Sequence, residues 1–453
     1  MRFDFSLKCQ PGLSQHAAAF ALASASTLGW AQATEQPATE QETWNAKFQS
    51  TYVWQEKRPM AADYSGANSL STRKEYSYSF TATMALGWRP WSGGELYLDP
   101  EAAQGVPLSN LTGLGGFTNG EMARTSGPTL KVYRARLFLR QTWGDGGDRE
   151  AVESAANQLG GMVDKRRWVL TAGNLSVLDI FDANSYNHDP RTQFMNWSLM
   201  ANGAFDYAAD ARGYSWGIAL ERYMDDWVLR AGRFIEPKEP NQQQLDSRIF
   251  KHYGDQIELE HAHEIDGQPG RLRMLAFRNK ALMSRYQDAL ALAAESGEAP
   301  DINQVRGGEQ IKYGVGINLE QALTADAGLF MRGSWADGGT ETYAFTEIDR
   351  SLAVGGLLKG TRWGRAQDTV GLAWASNGLS QAHRQYLAEG GMGFFLGDGA
   401  LNYKPETVIE AFYGFNLCKA SWLTLDWQQI RNPGYNADRG AATVSSLRLH
   451  TEF

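Results

Sequence analysis

The run Tyr76-Ser-Tyr-Ser-Phe-Thr-Ala-Thr-Met-Ala-Leu-Gly-Trp88 decides the fold. One phase is Tyr76, Tyr78, Phe80, Ala82, Met84, Leu86 and Trp88, and the other is Ser77, Ser79, Thr81, Thr83, Ala85 and Gly87. Successive side chains of a strand point to opposite faces, so one face is apolar with aromatics at both ends and the other is small and polar. Strands of soluble sandwiches rarely run this long. A strand that crosses a bilayer needs about 9–11 residues and carries aromatic girdles at its two interfaces.

The period of two recurs. Trp44, Ala46, Phe48, Tyr52 and Trp54 alternate with polar neighbours, Tyr313, Val315, Ile317 and Leu319 with Gly314, Gly316, Asn318 and Glu320, and Ile409, Ala411, Tyr413 and Phe415 continue the same phase late in the chain. The pattern predicts about sixteen strands, near 44–55, 76–88, 94–99, 131–142, 166–175, 213–223, 226–235, 255–264, 271–279, 312–321, 326–335, 350–358, 367–375, 406–417, 421–430 and 443–453. Long links alternate with short ones, which is the signature of an outer-membrane barrel with short periplasmic turns and long extracellular loops. The break in that alternation is 143–165, where Arg149 to Leu159 reads as one short periplasmic helix. Closure is required, because a bilayer cannot satisfy an open strand edge. The expected class is therefore all-β: a transmembrane antiparallel β-barrel.

Composition agrees. The chain has 453 residues, a formal charge of -8, 12% aromatic residues, 15 Trp and 48 Gly. Mean hydropathy is -0.43. No run of about 18 apolar residues occurs, which excludes a polytopic helical membrane protein. The acidic balance offers no basic stripe for a nucleic-acid partner. Residues 1–33 read as a signal peptide: Arg2 and Lys8 precede the apolar span Ala17–Trp30, and Ala31-Gln32-Ala33 marks cleavage after Ala33. Residues 34–43 read as a flexible periplasmic arm, and 44–453 as the barrel. Cys9 precedes the apolar span, which leaves Cys418 as the single mature cysteine and no disulfide framework.

No P-loop or CxxC occurs, and the one GxSxG string, Gly213-Tyr-Ser-Trp-Gly217, opens the strand expected over 213–223 and not a strand-to-helix turn, so no nucleophile elbow is expected. His261 and His263 share a strand face at a spacing that can hold a metal, but further ligands are not evident, so neither a metal nor any cofactor is expected. An outer-membrane enzyme would need a His/Ser-type pair at the lipid edge, and none can be paired by spacing.

Three stretches resemble a known family. Gly94-Glu-Leu-Tyr-Leu-Asp-Pro-Glu-Ala-Ala-Gln-Gly105 looks like a signature of the carbohydrate-selective porins of the OprB type. Asp189-Pro-Arg-Thr-Gln-Phe-Met-Asn-Trp-Ser-Leu-Met200, with Asp206-Tyr-Ala-Ala-Asp210, and Gly267-Gln-Pro-Gly-Arg-Leu272 resemble the same family. The likeness is densest over about 94–280; beyond that it rests on strand pattern and on Phe453, which resembles the signal read by barrel-assembly machinery. The resemblance implies a sixteen-stranded outer-membrane porin, a monomer or homotrimer among outer-membrane lipids, that passes monosaccharides, often glucose.

A sugar filter needs weak, replaceable contacts, since tight binding stalls flux. Arg134, Arg136 and Arg140 share the polar phase of one strand, and an arginine facing lipid at midplane costs about 2–4 kcal/mol, so all three are expected to face the lumen. Glu95 and Asp99, in phase with Tyr97 on the preceding strand, would supply the opposing charge. The glycine-rich link Pro100–Leu130 is expected to fold inward and carry Glu121 and Arg124 toward the filter. Arg191 and Trp197, on another long link, complete the candidate set, with Trp197 as a sugar-stacking platform. The arginine row leaves an alternative open: a porin for anions or acidic sugars. An adhesin or structural barrel fits the long loops but not the motifs.

Overall fold

The computed structural model describes residues 41–122, 127–344 and 347–453. The stretch expected to be the signal peptide, most of the arm, and Arg124 lie outside the described residues. Strands β1 (Trp44–Lys57), β2 (Glu75–Trp91), β3 (Gly94–Val106) and β4 (Lys131–Gly144) begin the wall. A small hairpin, β5 (Arg149–Val152) and β6 (Gly161–Asp164), stands apart from it. The wall resumes with β7 (Arg167–Leu175), β8 (Ser215–Met224), β9 (Trp227–Ile235), β10 (Tyr253–Ile265), β11 (Gln268–Leu282) and β12 (Glu309–Thr324). It continues through β13 (Ala327–Ala336), β14 (Arg350–Gly360), β15 (Arg365–Gly378), β16 (Glu406–Cys418), β17 (Ser421–Arg431) and β18 (Ala442–Glu452).

All pairings are antiparallel between neighbours, β4 meets β7, and β18 returns to β1, which closes a barrel of sixteen strands. At the seam, Phe48 and Phe453 exchange backbone hydrogen bonds of 2.8 and 2.9 Å, and their rings lie 5.2 Å apart. One end of the barrel carries tight turns. Asp266 and Gly267, both at positive φ (51° and 71°), make the two-residue turn whose twist suits a hairpin. The other end carries the long loops, among them those with residues 107–122, 176–214 and 379–405.

The two-residue period maps onto the wall as the sequence predicts. Ser77, Ser79, Thr81 and Thr83 are buried toward the interior, while Tyr76, Met84 and Trp88 are exposed on the outside. The barrel is not an empty tube. The loop 176–214 packs inside it: Phe194 meets Phe330 and Phe412 of the wall at 5.6 and 5.0 Å, and Phe205 meets Phe277 at 5.2 Å. Apolar side chains on the loop thus build a core against the lumen face, where a water-filled pore would have none.

Two expectations need correction. Strand β3 runs on to Val106 instead of stopping at Asp99, because a bulge at Asp99/Pro100 accommodates the missing proline N–H. The stretch 149–159 is not a helix: β5 pairs with β6, and Asn157 turns the chain at φ 59°. Tertiary contacts override helix propensity there. Asn157 donates to Asp99 (2.9 Å), its carbonyl accepts from Arg140 (2.9 Å), and the Leu159 N–H donates to the Tyr97 hydroxyl (3.1 Å). Gly87 permits this approach, since a Cβ there would lie 2.9 Å from the Tyr97 ring. Glu42, at the end of the expected arm, is bonded to the same hairpin through Gly160 (2.7 Å) and Ser154 (3.0 Å). The helices of the described residues lie instead on the loops of the opposite end, as α1 (Trp197–Met200), α2 (Tyr286–Ser296) and α3 (Gln381–Ala388).

Candidate channel constriction

Loop 176–214 begins with a capped turn. The Ser176 side chain accepts from Leu178 N–H (3.3 Å), and the Asp179 carboxylate accepts from Ser176 N–H (3.0 Å). The cap aims Asp179 at β4, where it receives Arg136 in a two-point pair, both contacts at 2.7 Å. Arg136 also reaches Asp99 of β3 at 3.3 Å and lies 5.2 Å from the Tyr214 ring. Burial would raise the Asp179 carboxyl, but the Arg136 guanidinium outweighs it and holds the group below the usual carboxylate range.

Beside this stands a second carboxylate–arginine group. Glu101 accepts from the hydroxyls of Tyr133 (2.5 Å), Thr83 (2.7 Å) and Tyr214 (3.4 Å), with Arg191 at 3.7 Å. Arg191 donates to Glu121 at 2.8 Å, and Thr81 donates to the same carboxylate. Burial lifts the Glu121 carboxyl above its ordinary range despite the arginine beside it. Arg136, Asp179 and Arg191 keep 16%, 28% and 25% of their side chains exposed, so none of the three is sealed from solvent.

Buried polar latches hold the loops that carry these groups. Asp182 takes Arg332 of β13 (3.1 Å), Asn318 (2.6 Å) and the amide and side chain of Asn202 (2.6 and 2.9 Å). Glu410 of β16 accepts Met195 N–H (2.6 Å) and Asn196 N–H (2.9 Å). Glu406 accepts Gly115 and Gly116 N–H, both at 3.0 Å, and Arg448 of β18 donates to the carbonyls of Pro190 and Gln193, both at 2.7 Å. A buried backbone amide without a partner costs about 1–3 kcal/mol, so these wall carboxylates fix both the depth and the register of the loops.

The structure divides the residues picked from sequence into separate groups. Asp99, Arg136 and Arg191 gather in the candidate constriction, joined by Glu121 of the loop after β3. Glu95, Tyr97 and Arg140 form a cluster beneath the β5–β6 hairpin, with Tyr97 to Glu95 at 2.7 Å and Arg140 to Glu95 at 3.7 Å. Arg134 is a correction. The bulge opposite Asp99/Pro100 shifts the phase of β4, and Arg134 faces outward, its guanidinium 5.1 Å over the ring of Trp216. That ring shares its phase with exposed Ile218 and Leu220. Trp197 is 7% exposed, and its ring packs against Phe117 and Tyr207, so its stacking surface is covered. His261 lies on Trp227 at 4.2 Å with no cluster of ligands around it among the described residues.

Sequence reading missed Asp179, Tyr133, Tyr214 and the latches Asp182, Glu406 and Glu410. Glu406 and Glu410 had a signal, since both sit on the inward phase of β16, where an acid in a wall strand demands a lumen partner. Asp179 also had one, in the Ser-x-x-Asp cap.

A barrel of this shape with a plugging loop is matched over residues 67–453 by the model of the carbohydrate-selective porin, OprB family. The chain belongs to that family. No curated protein matches this porin. Among solved structures it is similar to Pseudomonas putida OprB, at 16% identity and a TM-score of 0.69, covering 91% of this chain and 94% of that one. It is also similar to the outer membrane channel DcaP of Acinetobacter baumannii, at 9% identity and a TM-score of 0.52, covering 90% and 97%. At such identities the likeness is one of fold. Membership makes the chain an outer-membrane channel, and the two-phase wall is the surface such a channel needs.

Proposed function

We propose that this porin passes neutral monosaccharides such as glucose by passive diffusion through the constriction at Arg136, Asp179 and Arg191. The observation that carries the reading is charge pairing. Arg136 is matched by Asp99 and Asp179, and Arg191 by Glu121 and Glu101. Two partly exposed arginines set among four carboxylates present donors and acceptors side by side, which suits the hydroxyl rim of a sugar, and leave no positive excess to gather anions. Tyr133 and Tyr214 add ring surface for the C–H faces. The row of three arginines that favoured an anion or acidic-sugar channel is weakened on the same ground, because Arg134 points outward and Arg140 lies by Glu95. Binding energy of this kind stays small, as flux requires.

We further infer export by cleavage after Ala33 and insertion through the C-terminal strand that ends at Phe453. The test of the transport reading is single-channel current through purified protein in a planar bilayer, titrated with glucose, other neutral sugars and glucuronate. Saturable block by neutral sugars is the expected result. Block by glucuronate alone would assign the channel to acidic solutes.

A further inference from the structure

Outside the pore, the long-loop ends of β9 to β12 carry charge where a membrane protein meets headgroups. Asp255 pairs in register with Arg233 on one side and Arg278 on the other, all on the outward phase. Its carboxylate takes Arg233 at 2.6 and 2.9 Å and Arg278 at 2.8 Å, and both guanidinium groups lie over the Tyr253 ring, at 3.9 and 5.4 Å. Next to them Lys280 (2.8 Å) and Lys251 (3.3 Å) share Glu309. Four cations thus face two carboxylates, an excess of two positive charges. Arg278 and Lys251 keep 49% and 53% of their side chains exposed.

One step toward the barrel's waist the charge ends. Ile257 is flanked in register by Ala231 and Ala276, and Leu259 by Leu229 and Met274, so an apolar strip runs down the wall from the cations. Among the described residues, the outward phase at the other end of these four strands has no lysine or arginine; it carries Trp227, His261, Leu272, Gln321 and Leu323. The patch is therefore one-sided, cationic above and greasy below.

We propose that this surface binds a phosphate-bearing lipid of the outer leaflet, its phosphate on Arg233, Arg278 and Lys280 and its acyl chains along Ile257 and Leu259. Arginine forks match phosphate oxygens in geometry as well as charge, and the aromatic ring beneath them holds the guanidinium planes in place. The carboxylate of Asp255 orders the two arginines without neutralising them. The apolar strip separates this site from one for free phosphate, which would gain nothing from it.

Native mass spectrometry of the purified barrel with added diphosphoryl lipid A reads binding directly. Arg233→Gln/Arg278→Gln is expected to weaken it roughly tenfold or more, since a cation near a charged lipid surface contributes appreciably. Arg222→Gln, an outward arginine over Trp168 at the opposite end, is expected to leave it unchanged. A ligand-side comparison needs no variant: the same lipid stripped of its phosphates should bind wild-type protein about tenfold more weakly. Equal binding of the stripped lipid, or equal loss in Arg222→Gln, would overturn the proposal. So would complete displacement by equimolar inorganic phosphate, which would show that the chains contribute nothing.

Discussion

Asp179 and Asp182 stand three residues apart on one loop, and each meets an arginine of the barrel wall. The two pairs sit in different media. Asp182 and Arg332 are 0% and 1% exposed, while Asp179 and Arg136 are 28% and 16% exposed. The dry pair is enclosed by Asn202, Asn318 and backbone carbonyls, so neither charge can turn to water if its partner is lost. The wet pair can trade contacts with a solute at little cost. Water access therefore separates an ion pair that anchors a loop from one that, on the proposed function, reads what passes, although both are built from the same two residue types.

Breaking the dry pair is the most damaging change. Asp182→Ala leaves Arg332 buried without its carboxylate, at about 3–5 kcal/mol. The variant is expected to melt earlier by circular dichroism and to give larger, noisier single-channel steps as the loop leaves the lumen. Unchanged steps at unchanged stability would remove Asp182 from its anchoring role. Breaking the wet pair is milder. Asp179→Asn is expected to cost less than about 1 kcal/mol of stability, as for other partly exposed pairs, but to weaken glucose block several-fold and tilt the current toward anions.

Acid sharpens the same contrast. Burial places the Glu121 carboxyl above its ordinary range, while Arg136 keeps Asp179 below it. As pH falls from neutral, Glu121 takes up its proton first, at values above the usual glutamate pKa of about 4.3, and Arg191 loses its nearest counter-charge. Anion preference should rise over that window while Asp179 stays ionised. Glu121→Gln should show the raised preference already at neutral pH and remove the step. The smallest effect belongs to Arg134→Ala. An outward residue should change neither conductance nor sugar block, and a marked change in either would return it to the lumen.

Much of the barrel was legible because period-two patterning is dictated by lipid on one side and water on the other. Tyr76 to Trp88 shows both faces without any knowledge of neighbours. The errors fell where one residue breaks the period. The bulge at Asp99/Pro100 lengthened β3 and turned Arg134 outward, and no alternation count registers an extra residue in a ladder. The stretch 149–159 reads as a helix because alanine and glutamate favour one, yet its backbone is claimed by Arg140, Tyr97 and Asn45. Within the site, Arg136 was visible from the penalty that lipid would impose on it, an argument that misplaced Arg134, while Arg191 was picked from its long link. Their partners were harder to see, since Asp179 and Glu121 reach the wall from loops whose paths depend on distant latches such as Glu410.

The central claim is that the arginines of the constriction are neutralised where they stand, so that the channel sorts solutes by hydroxyls instead of charge. The zero-current potential of single channels across a KCl gradient tests it most directly. A value near zero or on the cation side, with glucose blocking the current, is the predicted result. A strongly anion-selective potential at neutral pH would show that the arginines act unpaired and would contradict the account.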